Sequence, residues 1–118
     1  MYEYKCQLLR VVDGDTVDVL IDVGFSIFLK QRVRLHGINA PESRTRDLRE
    51  KEKGIASKNR LKQIIKSFGK HFLIKTELDK KGKYGRILGV LYDLNKSHNA
   101  NSMLVSEGHA TEYLGEAR

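Results

Sequence analysis

The sequence predicts an α+β fold, mainly β, in which a single domain over residues 1–118 carries five strands and two helices. Three observations lead there. Runs of alternating apolar and polar residues come first and recur, as strands require. One helical stripe lies between the third and fourth of these runs, and a short helix follows the fifth. Glycine marks most of the junctions, where the chain must turn.

Lys5–Val12, rich in Leu and Val, reads as the first strand. Asp13-Gly14-Asp15 is a tight turn with Gly14 as its permissive residue. Thr16–Asp22 alternates, with Val17, Val19 and Ile21 on one face and Thr16 and Asp18 on the other. Gly24 marks the next turn, and Ser26–His36 is the longest strand pattern. Its apolar face is Ile27, Leu29, Val33 and Leu35; Lys30, Arg32, Arg34 and His36 form the other. Ser43–Lys53 reads as a charged loop and Gly54–Phe68 as a helix. Leu61, Ile64, Ile65 and Phe68 make its apolar stripe, Lys58, Lys62 and Lys66 follow a neighbouring row, and Gly69 stops it. His71–Glu77 is the fourth strand, Asp79–Lys83 a basic turn, and Arg86–Tyr92 the fifth strand. Asn99–Glu107 is a short helix with Asn99 as N-cap, Met103 and Leu104 inward, and Gly108 closing it. The order β-β-β-α-β-β-α is that of an OB-fold, a five-stranded Greek-key barrel.

Charge is unevenly placed. The net charge is +7, yet residues 1–42 carry five Lys/Arg against six Asp/Glu, residues 43–86 fifteen against five, and residues 87–118 two against four. A basic middle beside an acidic spot implies a polyanionic partner, nucleic acid first. No apolar run is long enough to span a membrane, so no membrane partner is expected. The N-terminus lacks the build of a signal peptide, which places the protein in the cell interior, with export an open alternative. Cys6 is the only cysteine and His36, His71, His98 and His109 lack ligand spacing, which argues against zinc.

Three stretches carry candidate chemistry. In Asp13-Gly14-Asp15-Thr16, two carboxylates flank a bend; such oxygens suit a hard divalent cation, but Asp-Gly is a common turn dipeptide and the stretch by itself favours an Asx-type turn. Arg34-Leu35-His36-Gly37-Ile38-Asn39-Ala40-Pro41-Glu42 leaves a strand, turns at glycine and stiffens at proline. A cation and a carboxylate at that corner suit a phosphate ester, and equally a surface salt bridge. Lys83-Tyr84-Gly85-Arg86 offers a guanidinium whose planar fork suits phosphate, and equally a basic hairpin.

Taken in order, the three stretches resemble the signatures of the staphylococcal nuclease family, the thermonucleases. The resemblance runs from about Leu9 to Tyr113 and includes Asn101-Ser102-Met103-Leu104-Val105-Ser106-Glu107-Gly108 as the family's short helix. It implies an OB barrel and calcium-dependent hydrolysis of DNA and RNA to 3′-phosphates, Mn2+ being another divalent candidate. It also implies roles. Asp15 would be the main metal ligand, with Asp13 supporting it, Asn39 a second ligand and the Ala40 carbonyl a further one. Arg34 and Arg86 would bind the scissile phosphate, Glu42 would activate water, and Lys83 and Tyr84 would contact a terminal phosphate. Tyr113 sits one position off the family's stacking tyrosine, and a structural role competes with stacking there.

One departure bears on activity. The family's usual aspartate at the second metal position is Asn39 here. A lost unit charge at ~4 Å costs at most ~4 kcal/mol at an effective dielectric of ~20, so weaker Ca2+ binding is expected. Two functions follow: a monomeric metal-dependent nuclease acting on single-stranded DNA or RNA, or an OB module that binds nucleic acid with weakened or lost cutting.

Overall fold

A computed structural model describes residues 2–78 and 87–113. Strands β1 (Tyr2–Asp13), β2 (Thr16–Asp22) and β3 (Phe28–Leu35) form an antiparallel meander. After β4 (Ile38–Asn39) and helix α1 (Leu48–Phe68), strands β5 (Phe72–Leu78) and β6 (Ile87–Tyr92) complete a closed barrel in the order β1-β2-β3-β6-β5. The β3–β6 pair is parallel and the other pairs antiparallel, so the expected five-stranded OB-like barrel is present. Helix α2 (Ala100–Ser106) and strand β7 (Thr111–Glu112) follow, and β7 pairs with β4 in a small separate sheet. No described helix is long and apolar enough to cross a membrane.

The core follows the alternation. Val17, Val19 and Ile21 of β2 are buried with Val33, Leu35, Phe72, Ile74 and Leu91, and Leu61, Ile64 and Ile65 of α1 join them. Cys6 lies in the same core, where burial pushes its thiol up to about 12. Alternation breaks twice along β1, between Leu8 and Arg10 and again at Val11 and Val12, which are consecutive and both buried. A register shift between Val11 and Asp13 lets both turn inward. On β6 the inward positions are Gly89 and Leu91 rather than the bulkier neighbours, because a Cβ at 89 would sit 2.7 Å from a methyl of Val33.

The structure corrects three boundaries. The β3 pattern begins at Phe28, and Ile27 and Leu29 are exposed rather than core. The β2–β3 hairpin ends in a left-handed turn through Gly24, Phe25 and Ser26, beyond the part of the sheet that the core covers. Strand β1 starts at Tyr2, because its first residues pair with β5. The expected loop 43–53 is helical from Leu48: the Asp47 carboxylate accepts from the N–H groups of Arg49 and Glu50 and caps it. The charged run that suggested a loop is made of good helix formers. The β4–β7 pair was not expected, its strands being two residues each. The turn at 79–83 and Arg86 lie outside the described residues.

Two glycines set the distance between α1 and the rest. Gly54 is interior to the helix, and a Cβ there would lie 2.2 Å from the Glu42 carbonyl oxygen. A Cβ at Gly14 would lie 2.6 Å from Cβ of Ser57. Ala is the better helix former by about 1 kcal/mol, yet Gly54→Ala is expected to destabilise the fold by about 1–3 kcal/mol through overpacking against backbone. A lower urea midpoint with an unchanged slope would register it.

Candidate active site

The β1–β2 turn and the corner after β3 meet at one carboxylate. Asp15 is 6% exposed, and its Oδ2 accepts from the Ala40 N–H at 2.9 Å, linking positions 25 residues apart. Oδ2 also faces Nη1 of Arg34 at 3.0 Å, and Oδ1 accepts from the Thr16 hydroxyl at 3.0 Å. Backbone pairing sets this up: Thr16 lies opposite Arg34 in the β2–β3 ladder, and the Leu35 N–H donates to the Asp15 carbonyl at 2.7 Å.

Arg34 is the hub. Its Nη2 donates to the Asn39 amide oxygen at 3.0 Å and to the Ile38 carbonyl at 3.2 Å. One guanidinium therefore holds Asp15 and Asn39 together. Among the described residues, three of its five N–H donors at most are used, which leaves two of them for another anion there. The Tyr113 ring lies 5.6 Å from the guanidinium carbon, within cation–π range. Tyr113 reaches that place because its N–H donates to the Gly37 carbonyl at 2.8 Å, continuing the β4–β7 pairing.

Asp13 turns away from Asp15. Its Oδ1 accepts from the Ser43 hydroxyl and from the Ser43 N–H. It thereby ties down the residue next to Glu42. The Glu42 side chain is exposed beside this cluster, and its N–H donates to the Glu50 carboxylate at 3.2 Å. Asp15, Arg34, Asn39 and Ala40 are thus brought together, Glu42 stands exposed two residues after Ala40, and Asp13 serves the loop. Lys83, Tyr84 and Arg86 lie outside the described residues; β6 begins with Ile87, paired with Val33 beside Arg34.

Among the described residues, no three His, Cys, Asp or Glu side chains gather to hold a metal ion. The donors at the corner are hard oxygens, right in kind for Ca2+. Their charge is low: one buried carboxylate, an amide and backbone carbonyls, with a guanidinium already between the first two. The set fits a weakly bound hard cation.

Two supporting residues escaped the sequence reading. Asn101 is buried and donates to the carbonyls of His36 at 2.9 Å and Gly89 at 3.1 Å, while accepting from the Leu91 N–H at 3.3 Å. It staples α2 to both strands where the corner begins. Ser57 donates to the His109 carbonyl at 2.6 Å and so fixes α1 against the segment leading to β7. The motif containing Asn101 was visible, but a buried amide in a short helix has no distinguishing spacing. For Ser57, the cue was the need for a small partner opposite Gly14.

The family model described as staphylococcal nuclease homologue matches residues 32–117. A micrococcal nuclease of Shigella flexneri is 30% identical over 94% of this chain and 59% of its own length. Protein ParB of Escherichia coli is 32% identical over 98% of this chain and 61% of its own length. The chain therefore spans about three fifths of these curated relatives.

Removing the hub should unsettle the fold as well as the site. Arg34→Ala leaves the Asp15 carboxylate, 8% exposed, without a cation, and is expected to cost about 2–4 kcal/mol. Arg32→Ala breaks a bridge to Asp18 from an arginine 60% exposed and should cost under about 1 kcal/mol. Urea denaturation of the two variants side by side checks the contrast.

Proposed function

The chain belongs to the staphylococcal nuclease homologue family, and on that premise we propose that it is a metal-dependent phosphodiesterase hydrolysing DNA or RNA. The observation that carries this reading is the single guanidinium shared by Asp15 and Asn39, with donors to spare. The Asp15 carboxylate, the Asn39 amide oxygen and the Ala40 carbonyl would hold Ca2+ or Mn2+, which when bound sets positive charge against the phosphate.

The chain's own groups do the rest. Arg34 turns its unused donors to the non-bridging phosphate oxygens and offsets the charge that builds as phosphorus becomes five-coordinate. Arg86 adds a second guanidinium, and Lys83 and Tyr84 take a terminal phosphate. Glu42, in solvent beside the cluster, takes a proton from water as the water oxygen bonds to phosphorus. The bond from phosphorus to the 5′ oxygen breaks, that oxygen gains a proton, and a 3′-phosphate remains. Tyr113 stacks a base while its other face stays near Arg34.

A second reading, a nucleic-acid-binding module with little or no cutting, is favoured by one observation. Arg34 neutralises the one buried carboxylate, and Asn39 adds no charge. A gel of labelled single-stranded DNA with Ca2+, with Mn2+ and with EDTA decides between them. The nuclease reading expects cutting that EDTA abolishes and that Glu42→Gln slows by about 10²–10⁴-fold. Intact DNA at all Ca2+ and Mn2+ concentrations would leave the binding module. Asn39→Asp is expected to tighten Ca2+ about tenfold or more, within the ~4 kcal/mol ceiling for one added charge; unchanged Ca2+ affinity by calorimetry would remove Asn39 from the metal site.

A further inference from the structure

A second cationic surface lies beside the corner rather than in it. An open groove of about 620 Å³ runs between β1 and α1. Arg10 lines its strand side, Lys58, Lys62 and Lys66 of α1 with Lys70 just after it line the other, and among the described residues no acidic side chain borders it. None of these five cations is in an ion pair among the described residues, whereas Arg32, Arg34, Arg60 and Lys96 each are. Asp18, opposite Arg10 in the β1–β2 ladder, is held below the usual carboxylate range first by its hydrogen bond from Arg32 and less by the charge of Arg10, so the lysines of the helix side are the cations of the groove furthest from a carboxylate partner.

The spacing is regular. Lys58, Lys62 and Lys66 recur every four residues on a helix that rises 1.5 Å per residue, so their charges step along the groove by about 6 Å. That step is of the order of the phosphate repeat of an extended strand. Between them, Leu9 is 46% exposed and offers an apolar surface to sugar or base. The Lys58 end of the groove is the one nearer the β1–β2 turn: Ser57, just before Lys58, packs on Gly14, which separates Asp13 from Asp15.

We propose that this groove holds the sugar–phosphate backbone of the nucleic acid several nucleotides away from the scissile bond. The identity of the polymer rests on the nuclease reading above; the groove adds where the rest of the strand lies. Uncompensated like charges in a concave row are destabilising until a polyanion lies along them. A row in a groove suits a strand better than a flat membrane surface.

The test is a triple variant, Lys58→Gln with Lys62→Gln and Lys66→Gln, whose side chains sit on the outer half of α1. Binding of a labelled long oligothymidylate is followed by fluorescence anisotropy in EDTA at several salt concentrations. Affinity at low salt is expected to fall at least about tenfold, and the slope of log K against log salt to become shallower by about 2, three contacts at ~0.7 each. With Ca2+ present, KM for a long strand should rise while cleavage of a thymidine dinucleotide is unchanged. Unchanged affinity and slope, in a protein whose wild type binds and cuts, would overturn the groove alone. Equal losses on dinucleotide and long strand would overturn it too, since the damage would then be at the corner. Loss of binding only to phosphatidylserine vesicles would assign the groove to lipid and overturn it. A wild type that neither binds nor cuts would remove the nuclease reading and the groove together.

Discussion

The site depends on one hydrogen bond, from the Ala40 N–H to the Asp15 carboxylate. It ties the β1–β2 turn to the corner after β3, extending beyond the ladder the contacts that the Leu35 N–H and the Arg34 guanidinium already make with Asp15. A buried carboxylate is costly unless its oxygens are met. Asp15 meets that cost with a backbone donor, a hydroxyl and a guanidinium. Each of these partners is positioned by the β2–β3 ladder or by the corner itself, so the carboxylate specifies the local geometry as much as it is held by it.

The second constraint is close packing by small residues. Gly14 against Ser57 and Gly54 against the Glu42 carbonyl let α1 approach the turn and the corner at the same time. Asp13 then ties Ser43, and Asn101 ties the carbonyls of His36 and Gly89. Glu42 is therefore fixed through its backbone from two sides while its side chain stays in water. That combination suits a group that must hold position yet exchange protons with solvent.

The barrel was legible because its strands alternate and its glycines fall at turns. Alternation could not reveal where the core ends along β3: Ile27 and Leu29 keep the pattern but project past it. Nor could it show the shift that buries both Val11 and Val12. The start of α1 was missed because charge density was weighed above helix propensity and the Asp47 cap. At the site, the motif residues Asp15, Arg34, Asn39 and Ala40 were legible and do converge. The residues alone do not divide the labour, since Asp13 and Asp15 look alike in the turn and only the family resemblance put Asp15 first; in the fold Asp13 serves the loop and Asp15 the corner.

Asn39 has consequences in two directions. An aspartate there would leave Arg34 between two carboxylates, a cluster with net negative charge that favours a cation and grips the guanidinium. With Asn39, Arg34 and Asp15 balance one to one, and the amide oxygen holds Nη2 without a full charge. Attraction for a divalent ion falls, but so does the attraction that keeps Arg34 from turning its donors to a phosphate. Both effects scale with the same unit charge at similar distance. On the proposed nuclease reading, the substitution would shift the balance at this corner from metal toward phosphate, and a chain so tuned would gain more from cations further along the strand than one with a strongly anionic metal pocket. Lys58, Lys62 and Lys66, regularly spaced and in no ion pair among the described residues, are where such cations stand.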